Sequence, residues 1–227
     1  PLARITMRLI DLSQPVTDGG PNCPVHPPIS AKVVATHAKD NWHMEVITLA
    51  THTGSHLDAP LHKIDGGKSI DQIPLDSFTG EAVLVDLRDS LSDRSITDEI
   101  LSSKLMGSQL GSLKDSIVLL ATGWGERRAA TDEWHFHSPY LAPSGAQWLV
   151  DQGIRAVGID HYSIGGSRDP DNTRTHEILL GNDLWVVEDL RFPVEIFAVG
   201  SRFRFMALPV NFPGHSGAFC RPVAVIE

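Results

Sequence analysis

Residues 51–62 read THTGSHLDAPLH, with three histidines and an aspartate in twelve positions, spaced His-x3-His-x-Asp-x3-His. Imidazole nitrogen and carboxylate oxygen together suit zinc, manganese or iron, whereas calcium and magnesium prefer all-oxygen shells. Gly54 and Pro60 exclude a regular amphipathic helix, so the segment reads as a compact loop that forces His52, His56, Asp58 and His62 together. The spacing is not the His-Glu-x-x-His of a zincin helix, nor the His-x-His-x-Asp-His of metallo-β-lactamases. No cysteine pair lies nearby, which excludes a structural zinc finger. The competing reading is chance clustering among eleven histidines. HFH at 135–137 illustrates it, two imidazoles read as sharing one strand face to no purpose.

A rigid scaffold must hold such a loop. Runs rich in β-branched and apolar residues predict strands at 7–12, 31–36, 44–51, 81–87, 116–122, 154–160, 184–190 and 203–210. The third would deliver His52 at its end. Several runs are almost wholly apolar, as in strands covered on both faces. Helices are predicted at 97–105, with Thr97 as N-cap and two acids in its first turn, at 143–153, opened by Pro143 and stopped by Gly153, and at 173–181. The Pro/Gly-rich stretches 15–28 and 163–172 read as loops rather than domain boundaries. The expectation is one α/β domain over 1–227, with a large mixed sheet or barrel-like core and a few flanking helices.

Composition narrows the function. The 227 residues can bury a sizeable core, and 41% hydrophobic with 21% charged residues is ordinary for a globular chain. A net charge of −9 without a basic run argues against nucleic acid. No apolar stretch is long enough to span a membrane, the N-terminus lacks a signal-peptide pattern, and two cysteines make no disulfide framework, so a cytoplasmic protein is expected. Met7 opens a natural-looking strand, so PLARIT reads as an upstream extension or as a remnant foreign to the protein.

HTGSHLDAPLH closely resembles the H-T-G-T-H-x-D-x-P-x-H signature of the metal-dependent cyclase family, which includes bacterial kynurenine formamidases and isatin hydrolases. DLSQPV (11–16) is similar to the family's opening D-x-S-x-P element, and TGW (122–124), DHYS (160–163) and GHSGAFCRP (214–222) resemble further elements. The resemblance implies a cyclase-like fold and a homo-oligomer, a dimer or tetramer. It also implies that His52, His56 and Asp58 bind a divalent metal, zinc or manganese. In the family's kynurenine formamidases a second cluster supplies a His and, twelve residues later, a Glu. THEILLGNDLWVVED fits this with His176 and Glu188, so that Asp58 would bridge to a second ion, giving one or two per chain. Glu188 also stands out unaided, because a carboxylate inside the apolar run LWVVEDL costs several kcal/mol unless paired or metal-bound. Asp189 should point the opposite way, into solvent.

The family's W-P-G-D loop, whose Trp contacts an aromatic substrate, corresponds here to CPVH (23–26), which puts Cys23 in the Trp position as a small pocket-lining residue. D-x-x-S-x-D is likewise altered, with Gly165 at its last acid. Trp124 and Trp42 are candidates for an aromatic wall on the substrate or for core packing. Asp160 is a candidate to orient a metal-binding His, or to cap the following loop. The implied chemistry is hydrolysis of a small arylformamide or cyclic amide by metal-activated water, which needs no Ser or Cys nucleophile, and the chain has no G-x-S-x-G element. An ester or lactone hydrolase on the same centre, or a non-catalytic binding protein, are the alternatives. His62 is assigned as general acid–base, since three ligands from 52–58 leave a position open for water and an imidazole pKa of about 6.5 suits proton exchange near neutrality.

Overall fold

A computed structural model describes residues 7–90, 93–106 and 111–226; PLARIT lies outside them. The strands are β1 (Arg8–Asp11), β2 (Ser30–Ala35), β3 (Met44–Thr48), β4 (His56–Asp58), β5 (Thr79–Asp86), β6 (Ser95–Ile96), β7 (Ile117–Ala121), β8 (Tyr140–Leu141), β9 (Ala156–Ile159), β10 (Trp185–Glu188), β11 (Arg202–Met206), β12 (Gly217–Phe219) and β13 (Val223–Ile226). The helices are α1 (His37–Asp40), α2 (Asp98–Met106), α3 (Asp132–Phe136), α4 (Pro143–Asp151) and α5 (Asp171–Gly181).

Nine strands form one sheet in the order β1-β13-β11-β5-β7-β9-β10-β4-β12. β5, β7, β9 and β10 run parallel, joined by crossovers that carry α2, α4 and α5, as parallel neighbours require. Their apolar sequences follow from position, for β7, β9 and β10 are buried throughout. One face packs Leu12, Leu57, Leu119, Val187 and Phe205 into the hollow of the sheet, and the other packs Val118, Val157 and Val186 beneath Leu101, Leu149 and Leu179 of the helices. Each fully buried Leu or Val contributes about 1.5–3 kcal/mol, so a charge on either face of β7 would undo the core. Antiparallel strands flank the parallel block, and the sheet curls until Ser13 bridges Leu190 and the Arg191 amide donates to the Leu12 carbonyl at 2.8 Å. The expected mixed, barrel-like core is the one found.

Several local expectations are corrected. The strand predicted at 44–51 ends at Thr48, and residues 51–55 are turns and bends that carry His52. Among the described residues β2 and β3 pair only with each other, in a ribbon that leaves Val33, Val34, Met44, Val46 and Ile47 exposed. His135 and Phe136 end helix α3 and are not in a strand, because Thr131 caps that helix by accepting from the Trp134 amide. Among the described residues, no helix is long and apolar enough to cross a membrane.

Candidate metal centre

β4 is three residues long, and alternation sends His56 and Asp58 to one face and Leu57 to the other, into the core. Register then sets the neighbours. Glu188 of β10 lies opposite His56, and Gly217 of β12 lies opposite Asp58. Gly217 must lack a side chain, since a Cβ there would meet the Leu57 carbonyl at 2.5 Å and His52 Cε1 at 2.6 Å. Gly54, at φ +65°, turns the chain between His52 and His56 in a conformation that L side chains rarely adopt. α5 brings His176 to the same face from across the chain.

His56 Nδ1 lies 2.8 Å from the Gly54 carbonyl, and His176 Nδ1 lies 2.8 Å from the Asn172 carbonyl. A carbonyl only accepts, so both Nδ1 atoms carry the proton, and in the neutral ring each Nε2 holds a lone pair. Those lone pairs face carboxylate oxygens. His56 Nε2 is 3.3 Å from Asp58 Oδ1 and 3.5 Å from Glu188 Oε2. His176 Nε2 is 3.2 Å from Glu188 Oε1 and 3.7 Å from Asp58 Oδ2. Acceptor facing acceptor needs positive charge between, supplied by a second ring proton or by a metal ion. Burial works against charge here, yet the carboxylates outweigh it and hold His56 and His176 above the usual imidazole range. Burial would likewise raise Asp58, but the charges of His62 and His52 hold it well below the carboxylate range. Asp58 Oδ2, fully buried, has no hydrogen-bond partner among the described residues, and Asp58 Oδ1 lies 2.7 Å from His52 Nδ1. An orphaned carboxylate oxygen amid imidazoles of fixed tautomer fits a divalent cation. His52, His56 and Asp58 offer ligand atoms all within 4.8 Å of one another, and so do Asp58, His62 and His176.

All six polar residues predicted for the centre therefore converge. Glu188 also accepts the Ile164 amide at 2.7 Å, which anchors it. The His62 ring lies 4.1 Å from that of His52 and 5.7 Å from that of His176, placing it within the cluster rather than at a distance from it. Cys23 lines a cavity of about 360 Å³ over the centre, with His26, His62, Lys63, Phe136 and Tyr162. Trp124 does not line it. Gly123, at φ +81°, turns the chain, and Trp124 packs against Trp134 and Tyr162, donating from Nε1 to the Trp134 carbonyl at 3.0 Å. Trp42 is half exposed and also off the cavity. The aromatic wall comes instead from Phe136 and Tyr162, which sit in segments with no periodic signal. Asp160 touches no metal-site histidine. It accepts from the Thr122 amide and hydroxyl at 3.0 and 2.6 Å and from the Gly125 amide at 3.3 Å, capping the TGW turn. The expectation of a solvated Asp189 is overturned, for it is 2% exposed and paired with Arg128 at 2.9 Å. The strand ends at Glu188 and Asp189 turns to φ +54°, so alternation no longer sets its direction.

The family model described as "Putative cyclase" matches residues 10–165. A kynurenine formamidase of Salinibacter ruber is 30% identical over 219 residues, covering 96% of this chain and 97% of the relative. One from Bordetella pertussis is 30% identical over 188 residues, 81% of this chain and 83% of the relative. Among solved structures, isatin hydrolase A from Ralstonia solanacearum superposes with a TM-score of 0.86 at 22% identity, over 100% of this chain and 94% of that one. A structure from Bacillus stearothermophilus described as a "predicted metal-dependent hydrolase" superposes with a TM-score of 0.78 at 26% identity, over 97% of this chain and 99% of the other. By signature, fold and family model alike, the chain belongs to the cyclase family.

Proposed function

We propose that the chain is a metal-dependent hydrolase of small amides, arylformamides or cyclic amides, holding zinc or manganese between His52, His56 and Asp58, with Asp58 shared with a second ion at His176 and Glu188. The observation that carries this reading is the pair of imidazoles whose Nδ1 protons are committed to the Gly54 and Asn172 carbonyls while their Nε2 lone pairs meet carboxylates. The family relatives named kynurenine formamidase support the reaction class. Bound there, a divalent metal polarises a carbonyl and lowers the pKa of water toward neutrality.

The chain's own residues supply the rest. His62 faces the cavity from the short helix Pro60–His62, where it takes a proton from the attacking water and returns it to the departing nitrogen, which is too basic to leave as an anion. Phe136 and Tyr162 offer aromatic faces to a flat substrate, and a volume near 360 Å³ suits one or two rings. Cys23 adds no stacking surface, and burial raises its thiol pKa, away from nucleophilic use.

The working form is a homo-oligomer. Supporting this, the β2–β3 ribbon presents apolar side chains on both faces, and a two-stranded ribbon alone is marginally stable in water. An absorbance panel of formanilides, isatin, lactams and lactones tests the reaction class. Turnover of the amides with N-formylkynurenine among the poorest is expected. Lactones turned over with every amide inert would replace this reading with esterase chemistry on the same centre.

A further inference from the structure

Residues 15–29 contain neither helix nor strand, and Cys23, Pro24, Val25 and His26 within them form one wall of the cavity over the centre. A loop of that length without regular structure is uncommon in a compact domain and is usually functional. It leads into the β2–β3 ribbon, whose strands pair with each other and not with the main sheet. The backbone from 15 to 51 is therefore an excursion that sheet pairing does not fix. Among the described residues, its hydrogen bonds to the rest of the chain come from Arg128 alone, to the Pro15 carbonyl at 3.0 Å and the Pro21 carbonyl at 2.7 Å. Its others stay inside the excursion, as between Gly19 and Ile29 or Asn22 and Pro27. Cys23 also packs on the cluster of Trp124, Trp134 and Tyr162, but apolar contact is non-directional and does not by itself set where the wall stands.

Arg128 is held in turn at the edge of the metal centre. Its Nε and Nη2 lie 3.0 and 2.9 Å from Asp189 Oδ2, and both side chains are buried. Asp189 directly follows Glu188 and is fixed through its backbone as well. Its amide donates to the His161 carbonyl and its carbonyl accepts from the Ser55 hydroxyl, each at 2.7 Å. Ser55 lies between His52 and His56. One planar guanidinium thus spends its fork of donors on a carboxylate and two carbonyls from separate parts of the chain. Neither the metal ligation nor the proton transfer described above uses it.

We propose that Arg128 is a positioning residue that clamps the loop of residues 15–29 to the strand end presenting Glu188, and so sets where the cavity wall stands over the centre. That substrate reacts in this cavity rests on the amide-hydrolase reading; the clamp does not. Two variants of the metal-loaded protein test it. Arg128→Lys keeps a cation for Asp189 but lacks the fork that reaches both carbonyls. Arg128→Met combined with Asp189→Asn removes both charges, so that neither is buried alone, and Asn tolerates the φ of +54° at 189. In both, hydrogen–deuterium exchange should quicken about tenfold or more in peptides from 15–29 while β7 and β9 keep their wild-type rates, as local opening requires. Metal per chain should stay at the wild-type value. KM for formanilide should rise about tenfold or more with kcat within about threefold, as when binding alone is lost. Unchanged exchange at 15–29 overturns the proposal, and so does equal quickening in β7 and β9, which would make Arg128 a general stabiliser. Loss of metal, or a freed loop with KM unmoved, overturns it too. If the wild type turns over no amide, the amide-hydrolase reading fails, and the exchange comparison still decides for the clamp.

Discussion

Replacing His62 with alanine separates proton transfer from metal binding. The side chain is partly buried, touches the His52 and His176 rings and makes no side-chain hydrogen bond among the described residues. Its removal should therefore cost about 1 kcal/mol of stability or less, the range of substitutions that break no hydrogen bond and open no core cavity. His52, His56 and Asp58 keep their mutual contacts, with Asp58 Oδ1 at 2.7 Å from His52 and 3.3 Å from His56, so metal at that site should survive. Burial lowers the pKa of His62 against the pull of Asp58, which favours the base form that accepts a proton from water. Loss of a positioned acid–base group costs 10²–10⁴ in kcat, or about 3–5 kcal/mol of barrier. The assay combines kcat on a formanilide by absorbance, metal per chain by elemental analysis and a thermal melt. A His62→Ala protein that loses a full equivalent of metal would make His62 a ligand, in line with its placement beside Asp58 and His176. A kcat within about threefold of wild type would remove it from proton transfer.

Glu188→Gln should lower metal content from two per chain toward one, because the amide can still accept from the Ile164 amide but loses the charge that faces His176 and His56. One ion per chain in both proteins would make the centre mononuclear. Burial pushes His161 down from 6.5 to about 4. Below pH 6.5 the unfolded chain takes up a proton that the folded one refuses, so this residue's contribution is complete above pH 6.5 and fades by ~3 kcal/mol as pH falls toward 4. Urea unfolding of metal-free wild type and His161→Gln at pH 7.5, 5.5 and 4.5 should show a difference in stability that varies with pH, and a constant difference would contradict the assignment. Ile47→Asp on the ribbon should shift sedimentation toward the monomer, and an unchanged oligomer would place the interface elsewhere.

What could be read in advance depended on how local the cause was. His52, His56, Asp58 and His62 fall within eleven residues whose Gly and Pro punctuation forces convergence, so they were legible directly. His176 and Glu188 reach the same place through a crossover and a strand register, and no local pattern encodes that meeting; only the family resemblance pointed to it. The parallel strands announced themselves by wholly apolar runs, but β4 and β12 did not, being three residues each and dependent on neighbours to exist. Alternation does not reach Asp189, because the strand ends one residue before it, and its partner Arg128 is 61 positions away. Of the two readings of Trp124, core packing holds, because a Gly turn and the Asp160 cap, distant in sequence, swing it inward. A lone loop imidazole such as His26 gives no sequence signal, for only the folded loop brings it to the cavity.

The measurement that bears most directly on the account is the metal itself. Protein purified without a metal-chelating tag should contain at least one equivalent of zinc or manganese per chain, lose hydrolysis of its amide substrate when a chelator strips the ion, and regain it when the ion is returned. His56→Ala should reduce that content, because it removes an Nε2 lone pair held in place by the Gly54 carbonyl. A chelated preparation shown by elemental analysis to be metal-free, yet turning over the amide at the full rate, would contradict the central claim.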